Sequence, residues 1–453
     1  MNKQPRRDFL KTSATVSALA ASGRFARGAQ NQRTNKPNIL FLNVDQLSIR
    51  AIGGYGCPDV KTPNIDRLMK SGYSFRKSYS PCPVCGPART TWQTGRMPSE
   101  HGVVTNGPLM LQSLPDMGQW VRKAGYKTYY TGKWHVYGRW AHESYYVLAE
   151  GTLQDGESGD IPVTRSVEGF LKNYKEPEPF LLGCGLMNPH DICLWISQHS
   201  ESELPLDWIR DELPPLPANF GNASPECETM AAMRNYNLKT RNTQVWSDDM
   251  WRFYRWIYYR YTEMVDVCIG QILDALEQSP HRDNTLLVFS ADHGDTHGAH
   301  KGMLMKDNFY EESVAVPFVC RFPGRIPENK IDEETLIYGC DLLPTICDYA
   351  RIEPPENQRG QSLRPVLENG ASLDREAVYS EVQVYGRMVR TPRYKYIRYQ
   401  NNRTEMLFDM NNDPGELANL AYRPEFKETL ARHQKLQDAF EASLIPKPSV
   451  EAE

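Results

Sequence analysis

The chain has 453 residues, 40% of them hydrophobic and 24% charged, which is an ordinary globular composition and enough sequence for two or three domains. Residues 1–30 carry six basic residues and one acidic residue, so residues 31–453 have 46 basic and 55 acidic residues and a net charge of about −9. A nucleic-acid-binding protein needs a basic face, and this balance argues against that class. No run of about 18 apolar residues occurs, so we expect no transmembrane helix.

The N-terminus indicates an export signal. An Arg-Arg-Asp-Phe-Leu-Lys stretch at 6–11 precedes a mildly apolar run of small residues at 12–22. A basic start followed by a short apolar stretch is typical of a signal peptide, which is removed from the mature protein. The paired arginines resemble a twin-arginine signal, which exports folded proteins. We therefore predict a signal over 1–30, cleavage between Ala20 and Gln30, and a periplasmic or extracellular protein. A disordered basic tail is the alternative.

The first predicted strand ends in an acidic residue. Residues 36–46 contain an apolar run that ends at Asp45 and Gln46. A continuous apolar run suits a strand covered on both faces, as in a parallel sheet. Open α/β sheets bind ligands beyond the carboxyl ends of their strands, which makes Asp45 a candidate metal ligand, and Gln46 offers a neutral oxygen that a hard cation accepts. A helix with Thr62 as its N-cap and a strand over 73–79 follow.

The segment 80–95 combines Cys85, Pro87 and Arg89 in a C-x-P-x-R pattern and closes with a Thr-Gly pair. Proline suits the first turn of a helix because it has no N–H to leave unpaired there. Cys85 then lies at a helix N-terminus, where backbone N–H groups and the helix dipole favour an anionic group, and Arg89 can lean back towards it. The segment therefore indicates a nucleophile that handles an anion.

The C-x-P-x-R spacing resembles the signature of the sulfatase family. In that family the cysteine is oxidised to formylglycine by a formylglycine-generating enzyme, and the hydrated aldehyde is the nucleophile, so the resemblance implies this modification at Cys85. The alternative is that Cys82 and Cys85 form a C-x-x-C redox or zinc pair. The sequence has no second C-x-x-C pair, and the Pro-x-Arg that follows makes the redox interpretation weaker.

A predicted helix over 114–124 and a strand over 126–130 lead to Thr-Gly-Lys133-Trp-His135. Residues two apart beyond a strand can point into one pocket. Taken alone, Lys133 and His135 would more often be solvent-exposed surface groups. The sulfatase pattern places a G-K-x-H sequence here, which implies that both residues belong to the active site.

Residues 137–160 are predicted as a loop, followed by a helix over 163–174 and a buried strand over 179–187. His190 comes directly after this strand, where the resemblance implies an active-site histidine. Residues 196–245 are polar, Pro-rich and irregular, and we expect an insertion over the mouth of the pocket.

A long aromatic helix is predicted over 247–278, followed by a strand over 285–290 that ends in Ala-Asp292-His293-Gly. Asp292 supplies a second acid beyond a strand, which is the partner that Asp45 needs. The family pattern continues to a strand near Val314 and includes a basic residue, Lys306. The resemblance implies five metal ligands, which are Asp45, Gln46, converted Cys85, Asp292 and His293. Carboxylate and amide oxygens suit calcium, with magnesium also possible, while the nearby histidines leave zinc as an alternative.

A Pro-rich stretch at 353–366 follows a helix that begins near Asp341, and we place a boundary there between a catalytic domain, 36–352, and a C-terminal subdomain, 353–453. The subdomain is predicted to contain four strands and a helix, at 377–382, 388–390, 394–399, 406–409 and 424–443. The resemblance implies an alkaline-phosphatase-like α/β fold, a mixed sheet sandwiched by helices with a smaller C-terminal antiparallel sheet and helix. The alternation of strands and helices supports the first part independently.

The resemblance implies hydrolysis of a sulfate ester on a small molecule or glycan that the protein meets after export, and a sulfated carbohydrate is the expected substrate. Arg89, Lys133 and Lys306 would offset charge in the sulfate pocket. His190, together with Lys306, would protonate the leaving oxygen. His135 would take the proton of the second hydroxyl of the aldehyde hydrate, which expels sulfate.

Two alternatives stay open. Sulfatases usually have a second Asp where Gln46 stands, and the Asp-Gln variant resembles choline sulfatases and phosphonate monoester hydrolases. A phosphonate monoester or phosphodiester hydrolase with the same nucleophile is therefore the alternative enzyme. A carbohydrate-binding protein with an unconverted Cys85 is the alternative outside enzymes.

Overall fold

A mixed sheet of eight strands lies at the centre of the molecule, and its strands alternate with helices along the chain. This is a computed structural model, and the residues that it describes are 36–151, 155–221, 242–383, 386–399 and 405–445. Those from Asn38 onwards form one compact unit. The predicted signal at 1–30 lies outside the described residues, as do residues 222–241 of the predicted insertion.

The structure describes fourteen strands. They are β1 (Asn38–Val44), β2 (Tyr73–Phe75), β3 (Ser78–Tyr79), β4 (Lys127–Gly132), β5 (Tyr146–Glu150), β6 (Phe180–Leu186), β7 (Thr285–Ala291), β8 (Phe318–Arg321), β9 (Lys330–Asp332), β10 (Ile337–Tyr338), β11 (Val378–Val382), β12 (Gly386–Arg390), β13 (Tyr394–Tyr399) and β14 (Glu405–Asp409).

The described α-helices range from single turns to one long helix in the middle of the chain. They are α1 (Pro63–Lys70), α2 (Cys85–Thr94), α3 (Pro98–His101), α4 (Met117–Arg122), α5 (Gly156–Asn173), α6 (Ile192–His199), α7 (Asp248–Glu277), α8 (Ala299–Gly302), α9 (Glu311–Val314), α10 (Leu342–Ala350), α11 (Arg364–Asn369) and α12 (Lys427–Ser443).

The large sheet has the order β5-β4-β6-β1-β7-β8-β2-β9. Its first five strands are parallel, β8 is antiparallel to both neighbours, and β9 is parallel to β2. The carboxyl ends of the five parallel strands therefore share one edge, which is where open α/β sheets bind ligands. A two-stranded sheet pairs β3 with β10.

Apolar cores cover both faces of the large sheet. Side chains of a strand alternate between faces, and β1 places Leu40 and Leu42 in one core and Ile39 and Phe41 in the other. Helices α5 and α7 pack on the first face and α2 and α10 on the second. This arrangement explains why β1 is apolar throughout, and it confirms the predicted sheet sandwiched by helices.

The C-terminal part contains an antiparallel sheet of the order β11-β12-β13-β14, with α12 packed against it. Strand β13 also serves two cores, since Tyr396 lies in one and Ile397 in another. The predicted antiparallel sheet and helix are confirmed. The domain boundary at residue 353 stays a prediction.

The prediction of a loop over 137–160 was wrong. Strand β5 lies within it, at the edge of the large sheet, and its alternate side chains are exposed, which leaves only a weak apolar signal. Helix α5 begins at Gly156 rather than at 163 because Asp155 caps it by accepting from the backbone N–H of Ser158. Pro162 lies inside this helix, and a proline in a helix interior normally indicates a break.

Candidate active site

Two carboxylates meet at the edge formed by the parallel strands. Asp45 follows β1 and Asp292 follows β7, and these strands pair in register with Val44 opposite Ala291. Both carboxylates are fully buried. Burial raises the pKa of Asp45, but Lys133 and other cations outweigh it, so the pKa lies well below its usual range and the group is ionised.

Cys85 begins α2, and its thiol lies among charged groups. Its Sγ is 2.9 Å from Lys306 Nζ, 3.1 Å from His293 Nε2 and 3.7 Å from Asp45 Oδ1. Burial and Asp45 raise the pKa of the thiol, but the cationic Lys306 and Lys133 outweigh them, and the pKa lies well below its usual value. The surroundings of residue 85 therefore favour an anionic side chain.

Arg89 lies one turn into α2 and is buried behind the two carboxylates. Its Nε donates to Asp292 Oδ2 at 2.7 Å, and its Nη2 donates to Asp45 Oδ2 at 3.1 Å. Its Nη1 donates to Asn43 Oδ1 at 3.0 Å and to the carbonyl of Lys133 at 2.9 Å. We expected Arg89 to lean towards Cys85, and its hydrogen bonds instead hold the two acids together.

Three basic side chains complete the surroundings of residue 85. Lys133 Nζ is 2.7 Å from Asp45 Oδ2, and His190 Nε2 is 4.0 Å from Asp45 Oδ1. Burial and then Lys133 lower the pKa of His190 to about 4, so its imidazole is neutral at pH 7. Burial alone would lower the pKa of Lys306. The negative charge of Cys85 outweighs burial, and the pKa of Lys306 lies above the ordinary value for a lysine.

Comparison with known proteins identifies the family. Residues 37–352 match the profile of the family described as Sulfatase, which is well over half of the chain. The chain belongs to the sulfatase family. A second profile, described as N-sulphoglucosamine sulphohydrolase, C-terminal, matches residues 298–442. The family inferred from the C-x-P-x-R motif is confirmed, and with it the class of enzyme, a sulfuric ester hydrolase.

Relatives of this sulfatase match it over nearly the whole chain. A Delta 4,5-hexuronate-2-O-sulfatase of Bacteroides thetaiotaomicron is 31% identical over 443 residues, which are 91% of this chain and 90% of that protein. The solved structure of a 2-O GAG sulfatase is 30% identical, with a TM-score of 0.79 over 90% of this chain and 93% of that one. The phosphonate monoester hydrolase of Agrobacterium radiobacter is 20% identical, with a TM-score of 0.75 over 92% and 98%, which shows the fold alone.

Four side chains of this sulfatase form a group that fits a divalent cation. The ligand atoms of Asp45, Cys85, Asp292 and His293 lie within 4.8 Å of one another, and all four residues are buried. Burial and then Asp45 raise the pKa of Asp292, as expected for two carboxylates in one small space. The structure thus brings together four of the five predicted ligands.

The fifth predicted ligand, Gln46, lies beside this group with a left-handed backbone, φ 65°. Its Nε2 donates to Asp295 Oδ2 at 2.7 Å, and its Oε1 accepts from Lys306 Nζ at 3.0 Å. Burial raises the pKa of Asp295. Sequence reasoning missed Asp295 because the residue lies close to Gln46 only as a result of the pairing of β1 with β7. No sequence motif connects the two residues.

His135 is connected to the site through Tyr137. Its Nε2 lies 2.7 Å from the Tyr137 hydroxyl. The Tyr137 ring in turn packs on Gly86, where an added Cβ would lie 2.8 Å from a ring carbon. Burial raises the pKa of Tyr137, and the negative charge of neighbouring Cys85 raises it further. Tyr137 is a second site residue that the G-K-x-H pattern does not include.

Cys82 does not share the surroundings of Cys85. Both are free thiols, but only Cys85 belongs to the buried group of possible metal ligands. Burial raises the pKa of Cys82 well above its usual value, which is the opposite of what a reactive or metal-binding thiol needs. A C-x-x-C redox or zinc pair is therefore not supported. None of the described helices is apolar over the length that a bilayer crossing requires.

Proposed function

We propose that this sulfatase hydrolyses a sulfate ester on a carbohydrate, with a formylglycine made from Cys85 as its nucleophile. The observation that carries the proposal is the position of residue 85 at the first turn of α2, against two ionisable acids and two lysines in one buried pocket. The relatives whose names specify sulfated uronic acids and glycosaminoglycans support a carbohydrate substrate. Formylglycine supplies a hydroxyl nucleophile in its hydrated form.

The donor set supports one hard divalent cation. Two carboxylates with one imidazole and the side chain of residue 85 fit calcium, and magnesium is possible, since both prefer oxygen ligands. Asp45, Asp292, His293 and residue 85 would hold this ion, with Gln46 beside them. When bound, the ion supplies positive charge that polarises the ester and offsets the charge of the sulfate.

Lysine and arginine side chains would offset the remaining negative charge of the sulfate and of the two carboxylates. Lys133 lies beside Asp45 and Lys306 lies beside Cys85. Both lysines would bind sulfate oxygens in a pocket that excludes water. Arg89 would act indirectly, by keeping both carboxylates ionised and in place.

Proton delivery to the leaving oxygen is assigned to Lys306. Of the two groups expected to act as the acid, His190 is neutral at pH 7 because burial and Lys133 lower its pKa to about 4. A lysine ammonium, in contrast, ordinarily carries its proton at that pH. His190 would then hydrogen-bond with the leaving oxygen without supplying its proton. His135, oriented by the Tyr137 hydroxyl, remains the proposed base for the second hydroxyl of the hydrate.

Mass spectrometry of the peptide that contains Cys85 tests the nucleophile. We expect the mass of an aldehyde rather than a thiol, and we expect Cys85→Ala to abolish turnover of an aryl sulfate without unfolding the chain. Cys82→Ala is the matched control, because it removes an equally buried thiol three residues away and should retain activity. An unmodified Cys85, or substantial activity in Cys85→Ala, contradicts the proposal.

The second candidate is a phosphonate monoester or phosphodiester hydrolase with the same nucleophile. The residue that favours it is Gln46, whose amide is tied to Asp295 and Lys306 where most sulfatases have a carboxylate. Parallel assays with an aryl sulfate and phenyl phosphonate decide between them. A kcat/KM for the phosphonate that exceeds the value for the sulfate would favour the second candidate.

The remaining predictions concern where the enzyme works. The proposal includes a formylglycine-generating enzyme as a partner and export through the predicted twin-arginine signal. Detection of the mature protein in the periplasm, with residues 1–30 removed, is the measurement that checks the route.

A further inference from the structure

A cavity of about 520 Å³ opens next to the catalytic pocket, between the end of β4 and the end of β5. Its volume lies in the range of small-ligand sites, and its walls are mostly apolar and aromatic. The residues of its lining that carry the argument are Trp134, His135, Tyr137, Trp140, His142 and Glu150.

Two of these side chains link the lining of the cavity to the site. Tyr137 packs on Gly86, the neighbour of Cys85, and its hydroxyl lies 2.7 Å from His135 Nε2. Both Tyr137 and His135 also line the cavity. Tyr137 therefore contributes both to the surroundings of residue 85 and to the wall of the cavity.

The aromatic side chains differ in how they are held. Trp134 is fixed, since its indole N–H donates to the carbonyl of Arg139 at 2.8 Å and its ring packs edge-on against Tyr130 and Tyr145. Trp140 also lines the cavity, but its side chain is 76% exposed. Tryptophan offers a broad apolar face and one polar N–H, which suits a pyranose ring with C–H groups on its face and hydroxyls at its rim.

Few charged side chains line the cavity. Arg139 is paired with Asp116 at 3.2 Å, and at the rim His142 Nδ1 lies 3.8 Å from Glu150 Oε1. The catalytic pocket, in contrast, concentrates lysines around residue 85. A ring that carries its own sulfate or carboxylate would find no unpaired cation among the described residues that line the cavity, whereas hydroxyl groups can hydrogen-bond with His142 and Glu150.

We propose that the cavity is a subsite for an uncharged pyranose ring joined to the sulfated sugar. This inference rests on the proposed function and adds its substrate class, an oligosaccharide in which a neutral sugar neighbours the sulfated one. Trp140 stacks on the face of the neutral ring, Trp134 supports it from below, and the His142–Glu150 pair recognises its hydroxyls. Such a subsite lowers KM for extended substrates more than for small esters.

The test compares a sulfated disaccharide that has a neutral second sugar with an aryl sulfate that cannot reach the cavity. In Trp140→Ala, the ratio of kcat/KM for the disaccharide to kcat/KM for the aryl sulfate should fall about tenfold, mainly through KM, because removal of a central stacking tryptophan has this size of effect. The matched control is Trp208→Ala, which removes another exposed tryptophan, one that does not line the cavity, and should leave both values unchanged.

The outcomes separate the subsite from the proposed function. An unchanged ratio in Trp140→Ala, with both substrates still turned over, overturns the subsite and leaves the sulfatase proposal intact. A preference of the wild-type enzyme for a disaccharide whose second ring is sulfated or carboxylated overturns the claim that the ring is neutral. Failure of the wild-type enzyme on every sulfate ester overturns both. A thermal melt of each variant confirms that the chain has folded.

Discussion

Replacement of Arg89 by Met should destabilise this sulfatase far more than loss of an ordinary ion pair. The guanidinium is buried and makes four hydrogen bonds, two of them to the carboxylates of Asp45 and Asp292. Its removal leaves two buried acids without their shared partner. Removal of one partner from a buried ion pair costs about 3–5 kcal/mol, a large part of a typical stability of about 5–15 kcal/mol.

The assay is urea unfolding at pH 7, with a chelator and again with excess calcium. We expect Arg89→Met to lose about 3–5 kcal/mol in the chelator and less in calcium, because a cation between the acids replaces part of the missing charge. The control is Arg67→Met, which removes an exposed pair with Asp274 at 2.6 Å and should cost about 0–1 kcal/mol in both conditions. A loss in Arg89→Met no larger than that of the control would refute the role assigned to Arg89.

Three further results are expected. His135→Ala should slow turnover by about 10²–10⁴-fold because it removes the proposed base. Tyr137→Phe, which keeps the ring and removes only the hydroxyl, should slow turnover less. Steady-state kcat values decide this, and equal losses in the two variants would contradict the role proposed for His135. Burial raises the pKa of Asp160 to about 7, above the value of about 3.9 in the unfolded chain. Because the unfolded chain loses this proton at a lower pH than the folded chain, the free energy of unfolding should fall as pH rises from about 4 to about 7. Asp160→Asn should reduce this dependence on pH in unfolding curves. Chelation should abolish aryl sulfate hydrolysis, calcium or magnesium should restore it, and restoration by zinc alone would contradict the proposed ion.

The acids of the site were predictable because their positions follow from strand ends. A buried parallel strand is recognised in the sequence by an unbroken apolar run. A polar residue that directly follows such a strand lies at the edge of the sheet where ligands bind. Asp45 and Asp292 satisfied both conditions, and the adjacent pairing of β1 and β7 brings them together. Cys85 was predictable for a different reason, since a local motif set its place on a helix.

Features that depend on distant pairing were not predictable. The hydrogen bond of Gln46 to Asp295 and the direction of the Arg89 side chain both follow from the packing of α2 behind β1 and β7, which no local spacing encodes. Strand β5 was missed because an edge strand buries little, and its alternation is too weak to compete with the appearance of a polar loop.

The burial of α2 bears on when the proposed oxidation of Cys85 would take place. An enzyme that oxidises Cys85 would have to bind the peptide on both sides of the thiol. Every residue of α2 is buried in the folded chain, and Cys85 itself is only 1% exposed. The active site of another protein cannot close around a residue that is buried in this way. On the proposed chemistry, oxidation therefore acts on the unfolded chain. The predicted twin-arginine signal would export the chain already folded, so on this prediction residue 85 would be converted before export.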